Sequence, residues 1–314
     1  MSQPVFIAGD WGTSNLRLSL VDADGAVLDT RTGPGAAAVP AGGFPDTVRG
    51  LLADWDAAHG RLPLLLCGMV GSTLGWVEVP YAATPAGAAE IAGHLHAIDL
   101  PFGSDGGRPV YIAPGVKGTN LQGAPDVMRG EETQVLGALI THPDLATGNH
   151  LLCLPGTHSK WVDLADGRIT GFTTAMSGEI YALLSKHSTL ARGAADWDGT
   201  PDAGFRQGLA RVAEAGADVL HLLFETRARQ MAGVLSPKDA LGFLSGLVIG
   251  GDVAAILARH RALGRPAPAR VVLVGAPALN TLYTLALASH GVAALALNGA
   301  EQSTAGLLAY FRRL

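Results

Sequence analysis

The alternation of apolar and polar positions near the start of the chain predicts a three-stranded β-meander from residue 5 to Arg31, with tight turns at Asp10–Asn15 and Asp22–Gly25. Apolar residues at helical spacing then predict a helix over Phe44–His59. The uniformly apolar segment Leu62–Cys67 predicts a strand that is buried on both faces. The first part of the chain is therefore expected to form a mixed β-sheet with a helix packed against it.

A similar pattern recurs further along the chain. Residues 68–128 are rich in Gly and Pro and predict loops with short strands, and irregular backbone of that length usually has a functional reason. A helix is predicted over residues 130–143. The apolar strand Leu151–Leu154 then leads into a glycine turn and an Asp-Gly hairpin, which repeats the N-terminal meander. Because this unit occurs twice, the sequence predicts a duplicated protein with two lobes.

The second half of the chain combines helices with a short α/β segment. Helices are predicted to dominate from Gly178 to His260, and from Arg270 a strand, a glycine turn, a helix, a second strand and a last helix form a βαβα tail. We expect two domains, an N-terminal lobe over residues 1–130 and a C-terminal lobe over residues 131–314.

Composition narrows the class of protein. The chain has 314 residues, 48% hydrophobic and 16% charged, which is enough to bury the cores of two domains. Its net charge is −5 and long runs of like charge do not occur, which disfavours a nucleic-acid or membrane partner. Cys67 and Cys153 lie in apolar strands, which indicates buried thiols in a reducing compartment. Without a signal-peptide pattern or a membrane-span pattern, we expect a cytoplasmic protein that acts on small molecules.

Two turns place small and polar residues directly after an apolar strand. Their backbone N–H groups and hydroxyls are suited to phosphate oxygens, and Asp10 beside the first turn is suited to hold Mg²⁺ through water. The phosphate-binding candidates are Gly12, Thr13, Ser14 and Asn15 in the first turn, and Gly156, Thr157, His158, Ser159 and Lys160 in the second. The alternatives are a hairpin with a local Asx hydrogen bond for the first turn, and a solvated hairpin charge for Lys160.

A third glycine turn follows the apolar strand Val271–Val274 and precedes a helix. Small residues there allow adenine and ribose to approach the backbone, and the helix N-terminus favours polar or anionic groups. The candidate adenosine-binding residues are Gly275, Ala276, Pro277 and Asn280. The alternative is an ordinary β–α crossover turn, and the segment does not have the GxGxxG pattern of dinucleotide-binding proteins.

In this order, the three segments resemble the phosphate-1, phosphate-2 and adenosine motifs of the hexokinase, Hsp70 and actin superfamily. Six segments spread over nearly the whole chain resemble the 2-dehydro-3-deoxygalactonokinase family. They are GDWGTSNLR, CGMVGSTLGWVEVPY, DVMRGEETQ, LCLPGTHSKWV, MSGEIYALLSKHSTL and LSGLVIGGD. The resemblance implies an α/β, two-lobed actin-like ATPase fold, with ribonuclease H-like mixed sheets flanked by helices and the nucleotide in the cleft. It also implies transfer of the ATP γ-phosphoryl group, with Mg²⁺, to the terminal 6-hydroxyl of 2-dehydro-3-deoxy-D-galactonate.

The resemblance further implies that a carboxylate shortly before the second phosphate motif accepts the proton of the attacking hydroxyl. Where relatives tend to carry Asp after the glycine of this segment, the present chain has Glu131 and Glu132. The predicted base is Glu131, followed by Asp126 and then Glu132. The alternative is that both glutamates are acidic residues favoured by the macrodipole at a helix N-terminus.

A sugar-acid substrate requires a cation for its carboxylate. Arg129 is the first candidate, because a guanidinium matches a planar carboxylate, and Lys117 and Arg17 are the others. The loop Gly68–Tyr81 is expected to form part of the sugar wall through Ser72, Trp76 and Glu78. Ordinary salt bridges are the alternative for the cations, and a core position is the alternative for Trp76.

Three other functions stay open at this point. The first is a kinase for another sugar, a polyol or a sugar acid such as 2-dehydro-3-deoxygluconate. The second is an actin-like ATPase whose output is conformational, and the third is a phosphatase of the same fold. The expected partners are ATP and a small sugar acid, without nucleic acid or membrane, and a homodimer is left open. The histidines have no metal-ligand spacing.

Overall fold

The structure is a computed structural model, and the residues that it describes are 2–101, 107–216 and 218–314. The chain divides into two compact units. Unit 1 contains Met1–Asn149, Leu164–Gly171 and Gly299–Leu314, and unit 2 contains His150–Asp163 and Phe172–Asn298. This division differs from the contiguous domains predicted for residues 1–130 and 131–314, because the helix after residue 130 and the C-terminal helix both belong to unit 1.

The strands follow the predicted order along the chain. They are β1 (Pro4–Trp11), β2 (Asn15–Asp22), β3 (Val27–Pro34), β4 (Leu64–Gly68), β5 (Ala82–Ala83), β6 (His96–Pro101), β7 (Gly107–Ile112), β8 (Val116–Thr119), β9 (Pro125–Met128), β10 (Asn149–Leu154), β11 (Ser159–Ala165), β12 (Arg168–Ala175), β13 (Arg270–Gly275) and β14 (Ala293–Asn298). The N-terminal meander, the second hairpin and the strands of the tail are thereby confirmed.

The helices are concentrated in the second half of the chain, as predicted. They are α1 (Phe44–His59), α2 (Ala88–Ala92), α3 (Glu131–Thr141), α4 (Ser177–His187), α5 (Ala203–Ala215), α6 (Val219–Leu222), α7 (Glu225–Met231), α8 (Ala240–Ala262), α9 (Pro277–Ala288) and α10 (Gly299–Phe311). The predicted helix over Phe44–His59 is confirmed at both ends, and the βαβα tail is confirmed as β13, α9, β14 and α10.

Two sheets of similar topology confirm the predicted fold class. The first has the strand order β3-β2-β1-β4-β7-β6, with an antiparallel meander β1-β2-β3 and parallel pairs β1–β4 and β4–β7. The second has the order β12-β11-β10-β13-β14, with β10, β13 and β14 parallel. In each sheet, a strand that begins a hairpin also pairs with a parallel strand, which is the predicted duplication.

The segment that was predicted to be mostly loop contains more sheet than expected. β6 and β7 pair antiparallel at the edge of the first sheet, and β5, β8 and β9 form a small third sheet. The short strands between Gly- and Pro-rich turns gave too few alternating positions to define these pairings from the sequence. The third sheet carries two of the predicted site residues, Lys117 on β8 and Asp126 on β9.

Helix α1 shows how the sequence sets the limits of an element. A proline in its first turn has the φ that a helix requires, and Gly60 ends the helix at φ 75°. Its buried residues Phe44, Val48, Leu52 and Trp55 recur at helical spacing and pack into the core of unit 1. This apolar stripe holds α1 against the first sheet.

Helix α8 is long and apolar enough to cross a bilayer by length and composition. However, 83% of its apolar window is buried inside the fold. Its Asp252 accepts hydrogen bonds from the Trp161 indole at 2.8 Å and from the Tyr283 hydroxyl at 2.7 Å. A mostly buried helix with an internally bonded carboxylate has the character of a core helix.

Helices α3 and α10 cross in unit 1 at two glycines. A Cβ atom on Gly306 would lie 2.0 Å from the carbonyl oxygen of Thr133, and one on Gly137 would lie 1.9 Å from that of Gln302. The obstructing atoms belong to helix backbones, which cannot rotate away as a flexible side chain can. The close crossing therefore requires glycine at both positions.

We expect Gly306→Ala to lower the free energy of unfolding by about 1–3 kcal/mol, the usual effect of overpacking. Gly50→Ala is the matched control, because Gly50 lies in α1 and an added Cβ there meets nothing within 4 Å. That control should instead gain roughly 0.5–1 kcal/mol from helix propensity. Urea unfolding of the two variants measures both effects, and equal stabilities would contradict the proposed crossing constraint.

Candidate active site

The carboxyl ends of β1 and β4 meet the start of α3 in unit 1. The parallel register pairs Asp10 with Cys67 and Trp11 with Gly68. Gly68 and Gly130 have φ values of 92° and 108°, which L side chains rarely adopt. A Cβ on Gly130 would lie 3.2 Å from the Cα of Gly68. The two glycines thus bring the first turn of α3 to the strand ends that carry Asp10.

The first predicted phosphate turn closes the β1–β2 hairpin. The Gly12 N–H donates to the carbonyl oxygen of Asn15 at 2.9 Å, and Thr13, Ser14 and Asn15 are exposed. Gly35 braces the turn from behind, since a Cβ there would lie 2.2 Å from the carbonyl carbon of Ser14. The turn is therefore a fixed backbone loop with exposed polar groups, as a phosphate site requires.

Asp10 is held from α10 and faces a cation on the neighbouring strand. The Ser303 hydroxyl donates to Asp10 Oδ2 at 2.8 Å, and Gln134 Nε2 of α3 donates to the same hydroxyl at 3.2 Å. Arg17 is opposite Asp10 in the β1–β2 register. Burial raises the pKa of Asp10, while the Ser303 hydrogen bond and the Arg17 charge lower it. Ser303 was not identified from the sequence, because its partner is 293 residues away.

The donor groups around Asp10 determine whether the predicted Mg²⁺ site fits. Among the residues that the structure describes, no group of three or more His, Cys, Asp or Glu side chains could hold a metal ion. Mg²⁺ at nucleotide sites is commonly held by one or two carboxylates, with phosphate oxygens and waters completing its shell. A single part-buried carboxyl such as Asp10, oriented by Ser303, fits that mode of binding.

The two glutamates at the start of α3 have different surroundings. Glu131 is half-buried, and its Oε2 accepts a hydrogen bond from the Arg129 N–H at 3.0 Å. Glu132 is fully buried; its Oε2 accepts from the Gly130 N–H at 2.7 Å and its Oε1 from the Thr133 hydroxyl at 2.9 Å. Burial, followed by the nearby Glu131 charge, raises the pKa of Glu132 to about 8. A buried, bonded and largely protonated Glu132 is poorly suited to accept a proton.

We expect Glu132→Gln to flatten the pH dependence of stability. The folded chain binds the Glu132 proton more tightly than the unfolded chain, because the pKa rises from 4.5 to about 8. The resulting stabilisation is complete below the unfolded value and is lost as the pH rises through the folded value. Urea unfolding across this range should therefore show a fall in the free energy of unfolding for the unmodified chain and a smaller fall for the variant. Parallel curves would contradict the raised pKa.

Arg129 lies in a closely fitted cradle. Its Nη2 donates to the carbonyl oxygen of Val79 at 2.7 Å, and its guanidinium lies 4.3 Å from the centre of the Tyr81 ring. A Cβ on Gly71 would lie 2.9 Å from Nη1. Nε and Nη1 are buried and make no hydrogen bond to any residue that the structure describes. Burying a cationic donor without an acceptor costs free energy, and an anion bound next to Nε and Nη1 would supply the missing acceptors.

The Gly68–Tyr81 loop contains three further substrate candidates. The Ser72 hydroxyl donates to the Met69 carbonyl at 2.7 Å and accepts from the Leu74 N–H at 3.2 Å, so it stabilises its own turn. Trp76 packs on the core with its ring 6.4 Å from that of Phe44, in agreement with the core alternative. Glu78 is exposed.

The remaining unit 1 candidates lie on the third sheet. Lys117 on β8 is exposed. Asp126 on β9 is opposite Gly118, and its Oδ1 accepts from the Val127 N–H at 2.8 Å. The structure therefore groups Asp10, Glu131 and Arg129 around the start of α3, while Lys117 and Asp126 lie on the hairpin that precedes it.

The second predicted phosphate turn closes the β10–β11 connection in unit 2. Thr157 and His158 are exposed, and the His158 ring pairs with Glu179 of α4. Gly178 at the start of α4 braces this turn, since a Cβ there would lie 2.3 Å from the Gly156 carbonyl oxygen. Gly156 is half-buried. The second turn therefore resembles the first, because both expose polar residues and both have a glycine packed closely against the turn backbone.

Two residues predicted for phosphate binding point into the fold instead. Ser159 is fully buried, with its hydroxyl 2.9 Å from that of Tyr283. Lys160 is 6% exposed, and its Nζ donates to the Thr174 hydroxyl at 2.9 Å. Neither the phosphate clamp nor the solvated charge describes Lys160, because β11 already begins at Ser159 and is covered on both faces.

Ser159 belongs to a buried polar network that the sequence did not reveal. The Ser177 hydroxyl donates to Asp252 Oδ2 at 2.9 Å, and Tyr283 and Trp161 donate to the same carboxyl. Burial raises the pKa of Asp252, and these three hydrogen bonds lower it. The available signal was an acidic residue, Asp252, within the long apolar stretch of α8.

The predicted adenosine segment forms the turn between β13 and α9. Ala276 and Pro277 are exposed, whereas Gly275 and Asn280 are buried. Asn280 Nδ2 donates to the carbonyl oxygens of Gly275 at 3.2 Å and Leu297 at 2.9 Å, so this side chain ties β13 to β14. Next to the turn, a cavity of about 290 Å³ is lined by Gly156 and the first turn of α9.

Comparison with known proteins decides the family. The model of the 2-keto-3-deoxy-galactonokinase family matches residues 10–310. The chain belongs to this family. A Rhizobium meliloti (strain 1021) protein named probable 2-dehydro-3-deoxygalactonokinase DgoK1 is 41% identical over 98% of this chain and 97% of its own length. The 2-dehydro-3-deoxygalactonokinase of Escherichia coli (strain K12) is 32% identical over 96% of each chain.

A solved structure agrees with this assignment to the 2-keto-3-deoxy-galactonokinase family. It is described as a 2-dehydro-3-deoxygalactonokinase protein from Sinorhizobium meliloti, and it is 41% identical. It covers 98% of each chain with a TM-score of 0.86. The family resemblance and the predicted α/β fold class, with mixed sheets flanked by helices, are therefore both confirmed.

Proposed function

We propose that this protein is an ATP-dependent kinase that phosphorylates the 6-hydroxyl of 2-dehydro-3-deoxy-D-galactonate. The observation that carries the proposal is the end-to-end similarity to two relatives that are named for this activity, at 41% and 32% identity. The net charge of −5 is consistent with a small-molecule enzyme without a nucleic-acid partner. A cytoplasmic location and a homodimer remain predictions.

In this proposal, each of the two braced turns is suited to bind phosphate. The exposed Thr13, Ser14 and Thr157 supply hydroxyl and backbone N–H donors, which suit phosphate oxygens. Asp10 would hold Mg²⁺, and the ion would supply charge stabilisation for the transferred phosphoryl group. Ser303 keeps the Asp10 carboxyl in place through its 2.8 Å hydrogen bond.

Glu131 is the proposed base toward the 6-hydroxyl. It is the half-buried carboxylate at the strand ends that carry Asp10, whereas Glu132 is fully enclosed. Its Oε2 is oriented by the Arg129 N–H at 3.0 Å. A positioned carboxylate can accept the proton as the hydroxyl attacks, while most of the barrier reduction comes from positioning and charge stabilisation.

Arg129 is the proposed ligand of the substrate carboxylate. Its buried Nε and Nη1 lack acceptors, and a carboxylate would supply them. Both atoms are shielded from solvent, so the Arg129 side chain or the residues packed around it must move when the acid binds. The carboxylate and the 6-hydroxyl are opposite ends of the six-carbon acid, so the acid must extend from the Arg129 guanidinium to the Glu131 carboxylate.

Purified protein should release ADP from Mg·ATP when 2-dehydro-3-deoxy-galactonate is supplied, with ADP release coupled to NADH oxidation. The comparison acceptors are the gluco epimer, galactonate, glycerol and no acceptor. Turnover confined to the keto-deoxy acids supports the proposal. Equal ADP release without an acceptor would instead identify an ATPase or a phosphatase, and turnover with glycerol alone would identify a polyol kinase.

A further inference from the structure

The cavity of about 290 Å³ in unit 2 joins two of the segments already described. Gly156 of the second phosphate turn lies on its wall, and so do Ala278 and Leu279 in the first turn of α9. A ligand whose flat end enters this cavity therefore has the phosphate turn beside it. Its volume is near the lower end of the ~300–1,000 Å³ range of small-molecule sites, which suits a nucleoside better than a whole nucleotide.

Two aromatic side chains form another part of the lining. Tyr181 of α4 and Trp197 both line the cavity, and their rings pack edge to face with centroids 6.0 Å apart. Trp197 is held from two further directions, because its Nε1 donates to the Thr200 carbonyl at 2.9 Å and its ring stacks on Phe205 at 6.3 Å. A tryptophan fixed in this way presents a rigid apolar surface and loses little freedom on binding.

We propose that Trp197 and Tyr181 form the wall of a nucleobase pocket, and that stacking on Trp197 is a principal contribution to the affinity for adenine nucleotides. The inference rests on the proposed function and extends it to residues outside the predicted adenosine segment. Every nucleobase has an aromatic face, so a rigid indole beside a phosphate turn recognises this class of ligand by shape. The apolar side chains of Leu279 and Leu282 complete the enclosure.

A neighbouring groove provides the competing location for the base. It has a volume of about 550 Å³ and is lined by Arg206, Pro277, Asn280 and Thr281. Pro277 and Asn280 were predicted to bind adenosine, and the exposed guanidinium of Arg206 is suited to lie over a flat ring. However, no residue of the second phosphate turn lines this groove, and its size exceeds that of a nucleoside. The cavity is therefore the better fit.

Calorimetric titration with ADP, without any acceptor, tests the pocket independently of catalysis. Trp197→Ala should bind ADP roughly 10–100-fold more weakly, the loss expected for one stacking contact. Trp197→Phe should retain most of the affinity, because it keeps an aromatic face. Trp197→Leu keeps a branched apolar side chain, though a smaller one, and loses the aromatic ring, so its ADP affinity should resemble that of Trp197→Ala. Inorganic tripolyphosphate, which has no base, should bind equally to all four proteins.

Arg206→Ala is the matched control for the neighbouring groove and should bind ADP as the unmodified chain does. Weaker binding by Arg206→Ala, with unchanged binding by Trp197→Leu, would overturn the inference and place the base in the groove. An unmodified chain that binds no ADP would overturn the inference and the proposed function together. ADP binding that depends on Trp197, in a protein that phosphorylates none of the tested acids, would uphold the pocket and reject the proposed function.

Discussion

Replacing Asp10 with Asn should abolish most of the kinase activity while leaving the fold at least as stable. Charge stabilisation by a metal ion is worth several kcal/mol, and about 1.36 kcal/mol is tenfold in rate, so kcat should fall at least ~100-fold. Burial raises the pKa of Asp10, which means that the fold disfavours its charged form. A neutral amide can still accept the hydrogen bond of Ser303 and removes that cost.

The test compares kcat, the Mg²⁺ dependence of turnover and the free energy of unfolding for Asp10→Asn and Ser303→Ala. Ser303→Ala leaves the carboxyl in place but removes its orienting hydroxyl, so it should raise the Mg²⁺ requirement with a smaller loss of kcat. A variant Asp10→Asn that retains the unmodified kcat would exclude Asp10 from metal binding. A large loss of stability would instead show that the carboxylate is structural.

The alternation of apolar residues was sufficient to predict the duplicated sheets. Residues 5–31 and the hairpin after Leu154 share a strand, a turn of small polar residues and a second strand, and both occur as predicted. These are local features, since each pattern depends on residues close together in the chain. The glycine turn before α9 was predictable for the same reason.

Long-range packing determined what the sequence could not show. Lys160 was assigned to a polar turn, but strand β11 already begins at Ser159. The Lys160 ammonium group therefore lies inside the fold, where it donates a hydrogen bond to the Thr174 hydroxyl. Arg129 was predicted from its charge alone. Its guanidinium is positioned by the carbonyl of Val79, 50 residues away in the chain, and by the Tyr81 ring, and these contacts leave Nε and Nη1 without acceptors. Asp252 and Ser303 act through partners on other elements. None of these contacts leaves a periodic signal.

Replacing Glu131 with Gln should lower kcat by roughly 10²–10⁴-fold, the usual contribution of a general base. The amide keeps the shape of the side chain and can still accept the hydrogen bond of the Arg129 N–H, but it cannot accept a proton. The affinity for ADP should be unchanged, because the lost interaction concerns only the attacking hydroxyl. Single-turnover kinetics with the keto-deoxy acid separate this chemical step from binding.

Glu301→Gln distinguishes a base from a helix-terminal acid, because Glu301 is an exposed acid in the first turn of α10. If Glu131 only complements the helix macrodipole, both substitutions should cost about 0.3–1 kcal/mol of stability and leave kcat unchanged. Asp126→Asn examines the second candidate in the same assay. A loss of kcat in Asp126→Asn but not in Glu131→Gln would move the base to β9, since both carboxylates precede the second phosphate turn and only one of them is needed to accept the proton.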